Sequence, residues 1–137
     1  MDFTEIDCIM QLVMAPGRVI PVSARFSYHS GDPYSVHASF SVEGHAPVSW
    51  LFARDLLAEG MVRPSGLGDV RIWPEGAGQS GFLCLELSSP EGRALLTAPM
   101  EVMSPWLGRT YHLVPAGAEE ASLDLDSELS WLLGEVA

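Results

Sequence analysis

Apolar and polar residues alternate along most of the first half of the chain, a pattern that is typical of strands with one buried and one wet face. The clearest example is residues 34–42, in which aromatic or aliphatic residues alternate with serine and histidine. The same period predicts strands over Glu5–Met14, residues 22–28 and residues 48–53. The first half therefore predicts four antiparallel strands that follow one another along the chain.

A helical segment replaces this alternation after residue 53. Arg54–Glu59 predicts a short helix, and Gly60 is expected to end it because glycine best tolerates a left-handed conformation after the last turn. Further strands are predicted over Val70–Trp73, Ser80–Ser88 and Arg93–Ala98. The second half therefore also consists mostly of strands.

Two amphipathic helices are predicted after these strands. The first opens at Pro99, since proline suits the first helical position, and Pro105 predicts either a kink or a later start at Ser104. Its expected buried stripe is Met100, Met103, Leu107, Tyr111 and Val114. The second begins at Asp126 and buries Leu129, Leu132, Leu133 and Val136. The predicted fold class is α+β, with two antiparallel β-sheets packed face to face and helices at one end.

Composition limits the function classes. The chain of 137 residues is 47% hydrophobic, enough for one core, and we expect residues 1–137 to form a single domain. Its net charge of −11 and lack of lysine disfavour general binding to a phosphate backbone. The N-terminus carries three acids and no base, and apolar runs fall short of the ~20 residues of a membrane helix. We therefore expect a soluble cytoplasmic protein without direct membrane insertion.

Sequence motifs for catalysis, cofactors or metals are weak. Residues 76–81 match G-x-G-x-x-G, but a strand follows where a dinucleotide site needs a helix, so a hairpin loop is predicted. The acidic run 124–128 lacks the glycine and terminal glutamate of a calcium loop. Three histidines without a neighbouring carboxylate or cysteine at ligand spacing are interpreted as solvated or partner-facing: His29, His37 and His45. Cys8 and Cys84 are interpreted as buried, reduced thiols. We predict no catalytic, cofactor or metal site.

Several large or cationic side chains are candidates for contact with partners or other subunits. Trp131 lies opposite the apolar stripe of the last predicted helix, and a tryptophan on a polar face is often an interface anchor, although a loop could also cover it. For Arg54 and Arg71 the alternative is an internal salt bridge to Asp55, Asp69 or Glu59, and for Trp73 it is core packing. The candidates are Arg54, Arg63, Arg71, Trp73, Trp106, Arg109 and Trp131.

One long stretch resembles a known family. Residues 50–60, WLFARDLLAEG, followed by Arg63-Pro64, Gly66 and the sequence GDVRIWP at 68–74, resemble the SsgA-like family of actinobacterial sporulation and cell-division proteins. The resemblance continues at 32–40, 87–96 and 124–129 and covers nearly the whole chain. Pro105 and Gly108 depart from the family, which usually keeps this stretch as good helix.

The resemblance implies a fold and a role. The implied fold is Whirly-like, with four strands and a helix repeated, similar to the Whirly and guide-RNA-binding proteins. The implied role is non-enzymatic: marking septum sites and recruiting the tubulin-like GTPase FtsZ in sporulation-specific division, together with an SsgA-type protein. Homo-oligomers of three or four subunits are also implied. Because proteins of this fold bind single-stranded nucleic acid, a nucleic-acid-binding regulatory protein is the alternative, disfavoured by the few basic residues.

Overall fold

The alternating segments form seven strands within residues 2–121, the part of the chain that this computed structural model describes. Two α-helices accompany them, α1 (Arg54–Gly60) directly after the fourth strand and α2 (Met100–Leu113) directly after the seventh. The strands are β1 (Phe3–Ala15), β2 (Arg18–His29), β3 (Ser35–Ser41), β4 (Val48–Ala53), β5 (Val70–Glu75), β6 (Phe82–Ser89) and β7 (Gly92–Pro99). The predicted α+β class is therefore confirmed.

All seven strands belong to one curled antiparallel sheet, in the order β4-β3-β2-β1-β7-β6-β5. The expectation of two sheets packed face to face is therefore wrong. The reason is the length of β1: it pairs with β2 along almost its whole length, and its other edge pairs with β7 over residues 11–13. One long strand thus joins the two halves by hydrogen bonds.

The second half contains three strands before its helix, as its sequence pattern predicted. The repeated four-strand unit implied by the resemblance lacks its fourth strand within residues 2–121. In its place the segment before β5 makes a single bridge, in which Ser65 and Ile72 exchange backbone hydrogen bonds of 2.8 and 3.0 Å. Because this bridge lies on the outer edge of β5, it covers part of that edge.

The core lies between α2 and one face of the sheet, which we call the inner face. Alternate residues of the strands point to it, among them Met10, Phe26 and Leu85, and all three are almost fully buried. Helix α2 adds Trp106, whose ring centre lies 6.0 Å from that of Phe26. Of the predicted stripe on α2, Tyr111 is only half-buried, and these residues are buried as expected: Met100, Met103, Leu107 and Val114.

Two helix-end predictions need correction. Gly60 lies inside α1 and has no positive φ; a Cβ at this position would overlap the Ile72 side chain, so glycine is needed for close packing instead. Pro99 caps α2, and the helix runs through Pro105 without restarting. Pro105 is exposed, so water can reach the Glu101 carbonyl that lacks a helical donor.

The last predicted features lie outside the described residues. These are the helix from Asp126, the acidic run 124–128 and the candidate contact Trp131.

Candidate interaction surface

Arg54, at the start of α1, is enclosed by the protein. Its Nη1 donates to the carbonyl oxygens of Thr110 (3.0 Å) and Val114 (2.7 Å) at the end of α2, and its Nη2 donates to Oε1 of Glu119 (2.8 Å). The guanidinium also faces two tyrosine rings, 4.0 Å from the centre of Tyr111 and 4.8 Å from that of Tyr28. We call these five side chains and carbonyls around Arg54 the arginine clamp.

The environment of the clamp changes the acidity of its members. Burial raises the pKa of Tyr28 to about 12, although the positive charge of Arg54 opposes the change. The pKa of Glu119 is lowered, first because its own backbone N–H donates to the carboxylate, then because of the Gly117 N–H and Arg54. At neutral pH the clamp therefore contains a cation, one carboxylate and neutral tyrosines.

Two predicted contacts are corrected by burial. The Arg54 side chain is 1% exposed, and Trp106 is wholly buried against the inner face, so neither offers a surface to a partner. Arg54 does form an internal salt bridge, which was the alternative prediction. Its partner is Glu119, however, and not one of the predicted acids. Glu119 is 65 residues away in sequence, a separation that local spacing cannot predict.

Three other candidates lie around β5, and we call them the β5 patch: Arg63, Arg71 and Trp73. Arg63 is exposed and pairs with Glu59 one helical turn earlier (2.9 Å). Arg71 lies 3.9 Å from Glu86 on the neighbouring strand, which differs from the predicted partners. Trp73 is half-buried, and its Nε1 donates to Glu75 (3.3 Å). Its ring is therefore partly packed against the protein and partly exposed to solvent. The patch combines cations with an aromatic ring, a composition that suits protein contacts.

Arg109 lies apart from this patch, on the exposed side of α2. Within residues 2–121 no carboxylate lies within 4 Å of it. Its charge is therefore available to a partner, which keeps it as a candidate contact.

Sequence reasoning missed an apolar groove at the end of the inner face that α2 does not cover. We call it the inner groove; its volume is about 550 Å³, and its walls include Leu12, Ile20, Phe40, Trp50, Leu87 and Leu96. Met14 and Val48, both more than half exposed, also border it. Alternation along β1 to β4, β6 and β7 marks these residues as inward-facing, but only the position of α2 reveals that residues 2–121 leave them without cover.

The structure shows where the weak sequence motifs lie. Residues 76–81 form the turn of the β5–β6 hairpin, as predicted. His29 and His37 lie with ring centres 6.2 Å apart, and Asp32 reaches Nε2 of His37 (3.2 Å), so a carboxylate does accompany these histidines, contrary to expectation. No group of three metal-ligating side chains occurs within residues 2–121.

Both cysteines are free thiols, as predicted, although Cys8 is only half-buried. Burial raises the pKa of Cys84 to about 11, which leaves it as the unreactive thiol at neutral pH.

Among the described helices, neither has the length and hydropathy that a bilayer crossing requires.

Comparison with known proteins identifies the family. The family model described as "Streptomyces sporulation and cell division protein, SsgA" matches residues 22–119. The chain belongs to the SsgA-like family. SsgA-like relatives include the sporulation-specific cell division protein SsgB of Streptomyces coelicolor, 48% identical over 126 residues and 92% of each chain. SsgB of Thermobifida fusca is 43% identical over 121 residues, 88% of each chain.

Solved structures of SsgA-like proteins share the fold. One comes from a study of SsgB mutations that correlate with longitudinal division in sporulating Streptomyces coelicolor; its TM-score is 0.83 at 44% identity, covering 88% of this chain and 95% of that one. The SsgA-like sporulation-specific cell division protein of Thermobifida fusca gives a TM-score of 0.85 at 40% identity, covering 94% of each chain. The suggested resemblance to the SsgA-like family is therefore confirmed.

Proposed function

We propose that this chain is a non-enzymatic adaptor of sporulation-specific cell division that localises to septum sites in the cytoplasm and recruits FtsZ. The observation that carries the proposal is similarity to SsgB, a protein named for sporulation-specific division, at 48% identity over 92% of both chains. The proposal treats residues 1–137 as one domain that works by holding other proteins. An SsgA-type protein is a second expected partner.

The distribution of positive charge supports protein partners. Within residues 2–121, four arginines lie within 4 Å of a carboxylate: Arg25, Arg54, Arg63 and Arg71. Neutralised cations and a net charge of −11 give little attraction to a phosphate backbone. This favours an adaptor over the alternative of a Whirly-like protein that binds single-stranded nucleic acid.

Repetition of a weak contact would give the adaptor its affinity. The proposed contacts are the three side chains of the β5 patch and the single side chain of Arg109. In a homo-oligomer of three or four subunits the same contact is repeated, and filament binding is strengthened because later contacts form at a high effective concentration. Mass measurement in solution tests this subunit number directly.

Co-sedimentation with FtsZ filaments tests the adaptor. We expect the protein to enter the pellet with GTP-assembled FtsZ and to stay in the supernatant with GDP. Arg109→Glu is expected to weaken pelleting, whereas Arg18→Glu is its matched control, because Arg18 is also exposed and has no carboxylate within 4 Å in residues 2–121. No enrichment in the pellet would overturn direct recruitment, and equal loss in both variants would show a general charge effect.

A salt titration with single-stranded DNA and RNA separates the alternative. If the chain is an adaptor, it should show no electrostatic binding to single-stranded DNA or RNA, the kind of binding that weakens steeply as salt is added. The reason is that the chain can neutralise few phosphates. Steep salt-dependent binding by the wild-type chain would favour the nucleic-acid function.

A fluorescent fusion in a sporulating actinobacterium tests septum localisation.

A further inference from the structure

Strand β4 is an edge of the sheet that lacks two common protections against pairing with another strand. Within residues 2–121 it pairs only with β3, and its sequence VSWLFA contains neither charge nor proline. The opposite edge, β5, is different, because Pro74 lacks an N–H and Ser65 already bonds to Ile72. Of the two edges, β4 is therefore the one that can accept another strand.

The hydrogen bonds between β4 and β3 fix which backbone groups of β4 face outward. The Arg54 N–H donates to the carbonyl oxygen of Tyr34 (2.8 Å), one position beyond the last pair of the β3–β4 ladder. Hydrogen-bonded and non-hydrogen-bonded pairs alternate along antiparallel strands, so the even-numbered residues of β4 bond to β3 and the odd-numbered ones face away. Ser49 and Leu51 therefore present both N–H and C=O outward. Ala53 presents only its N–H, since a helix takes the carbonyl of its cap residue.

An uncharged stretch surrounds these outward groups. Residues 46–53, APVSWLFA, lie between His45 and Arg54, and Arg54 is enclosed in the arginine clamp. In a chain of net charge −11, two copies repel each other over most of their surface. Like charges placed opposite each other destabilise a strand pair, and this stretch has none. The β4 edge is therefore electrostatically compatible with a second copy of itself.

One register satisfies every outward group of β4 when the second strand is β4 of another copy. Antiparallel pairing about a two-fold axis at Trp50 places Ser49 opposite Leu51 of the partner subunit, and the two residues exchange both hydrogen bonds. The Ala53 N–H then meets the carbonyl oxygen of Pro47 of the partner subunit. A register centred on Leu51 leaves the Ser49 N–H facing the carbonyl that α1 uses, and one centred on Ser49 leaves the Leu51 carbonyl facing a proline.

The same register matches apolar side chains across the inner face. Trp50 lies opposite Trp50 of the partner subunit, and Phe52 lies opposite Val48 of the partner subunit. Trp50 is half-buried and Val48 is more than half exposed, so both have apolar surface left to cover. Cross-strand aromatic and aliphatic pairs stabilise antiparallel strands. Both residues also line the inner groove, whose apolar wall would continue into the second copy.

We propose that two copies of this chain pair through β4, antiparallel and centred on Trp50, so that their sheets join into one continuous sheet. The contact does not depend on what the adaptor recruits. It joins copies in twos, so of the expected subunit numbers it fits four and not three. Because only the 6 residues of β4 in each copy pair, the interface is small and its formation should depend on protein concentration.

Disulfide trapping tests this register in the full chain. Opposite residues of a non-hydrogen-bonded pair have Cα atoms about 4.5 Å apart, a distance that a disulfide spans. Trp50→Cys should therefore form a covalent dimer under mild oxidation. Leu51→Cys is the matched control: it is adjacent and exposed but lies opposite Ser49, so it should give at least about tenfold less dimer. Peptide mapping separates the new disulfide from any bond to Cys8 or Cys84.

The unmodified chain provides a second test. The amides of Ser49 and Leu51 should become more protected from hydrogen exchange as protein concentration rises, and sedimentation velocity should show dimers over the same range. Leu51→Pro should abolish both effects without unfolding the chain, because this N–H faces away from β3. Leu51→Ala keeps the N–H and should still form dimers.

Equal trapping of the two cysteine variants would overturn the proposal. So would a wild-type chain that stays monomeric at every concentration, or dimers that Leu51→Pro leaves intact, since copies would then meet elsewhere. Protection of the β4 amides that does not change with concentration would mean that the same chain covers this edge, which would also overturn it. If Trp50→Cys forms no dimer because the tryptophan contact is lost, hydrogen exchange on the unmodified chain decides.

Discussion

The two ends of the inner face have the same kind of strand residues but different surroundings. At one end α2 packs Trp106 against Phe26, and the arginine clamp ties the end of the helix to α1. At the other end Trp50 and its neighbours line the inner groove without cover from residues 2–121. The difference shows that strand alternation decides which side chains point inward, while the reach of α2 decides which of them become core.

The largest expected effect is at the covered end. Trp106→Ala should lower the free energy of unfolding by roughly 3–5 kcal/mol, because it leaves a large cavity beneath α2. Trp50→Ala, the corresponding change at the groove, should cost clearly less because its ring is only half-buried. Urea unfolding of both variants checks the contrast, and equal losses would mean that both ends are packed alike.

The arginine clamp should follow in size. Arg54→Met removes the cation that holds Thr110, Val114 and Glu119, and we expect a loss of about 3 kcal/mol because the partner groups stay behind without their donor. Arg63→Met removes an exposed arginine with a similar charge pair and should cost less than about 0.5 kcal/mol. Comparable losses in denaturant titrations would argue against a structural role for the clamp.

Substituting two helical glycines should change the stability by smaller amounts and in opposite directions. Gly60→Ala places a methyl group against Ile72 and should destabilise the protein by about 1–3 kcal/mol. Gly108→Ala meets open space and should stabilise it by about 0.5–1 kcal/mol through helix propensity. Thermal unfolding checks both, and a stable Gly60→Ala variant would mean that the α1–β5 contact is loose.

Acid should weaken the clamp through Glu119. Its pKa in the folded protein is lowered, so the carboxylate stabilises the fold above the pKa of the unfolded chain, and this contribution is lost as pH falls through the folded value. The stability difference between wild type and Glu119→Gln should therefore be largest at neutral pH and shrink on acidification. Urea titrations across this range measure it, and a constant difference would contradict the linkage.

Local pattern predicted much of the fold and less of the surface. The strands and both described helices follow from period and turn residues, and even the G-x-G-x-x-G loop was correctly assigned from the strand that follows it. The single sheet, the Arg54–Glu119 pair and the inner groove depend on contacts between residues far apart in sequence. No spacing rule contains that information, which is why Arg54 was assigned to a surface. Trp106 is different: it lies three residues after Met103 and next to Leu107, so the helical period alone could have placed it on the buried face.

Helix α1 connects the two outermost strands of the sheet. It follows β4 directly, and its Gly60 packs on Ile72 of β5, six positions away in the strand order. Seven residues of helix measure only about 10 Å, so this strut holds both borders of the sheet at a fixed short span. Movement of β4 relative to β5 therefore requires α1 to move with them or the contact between Gly60 and Ile72 to break.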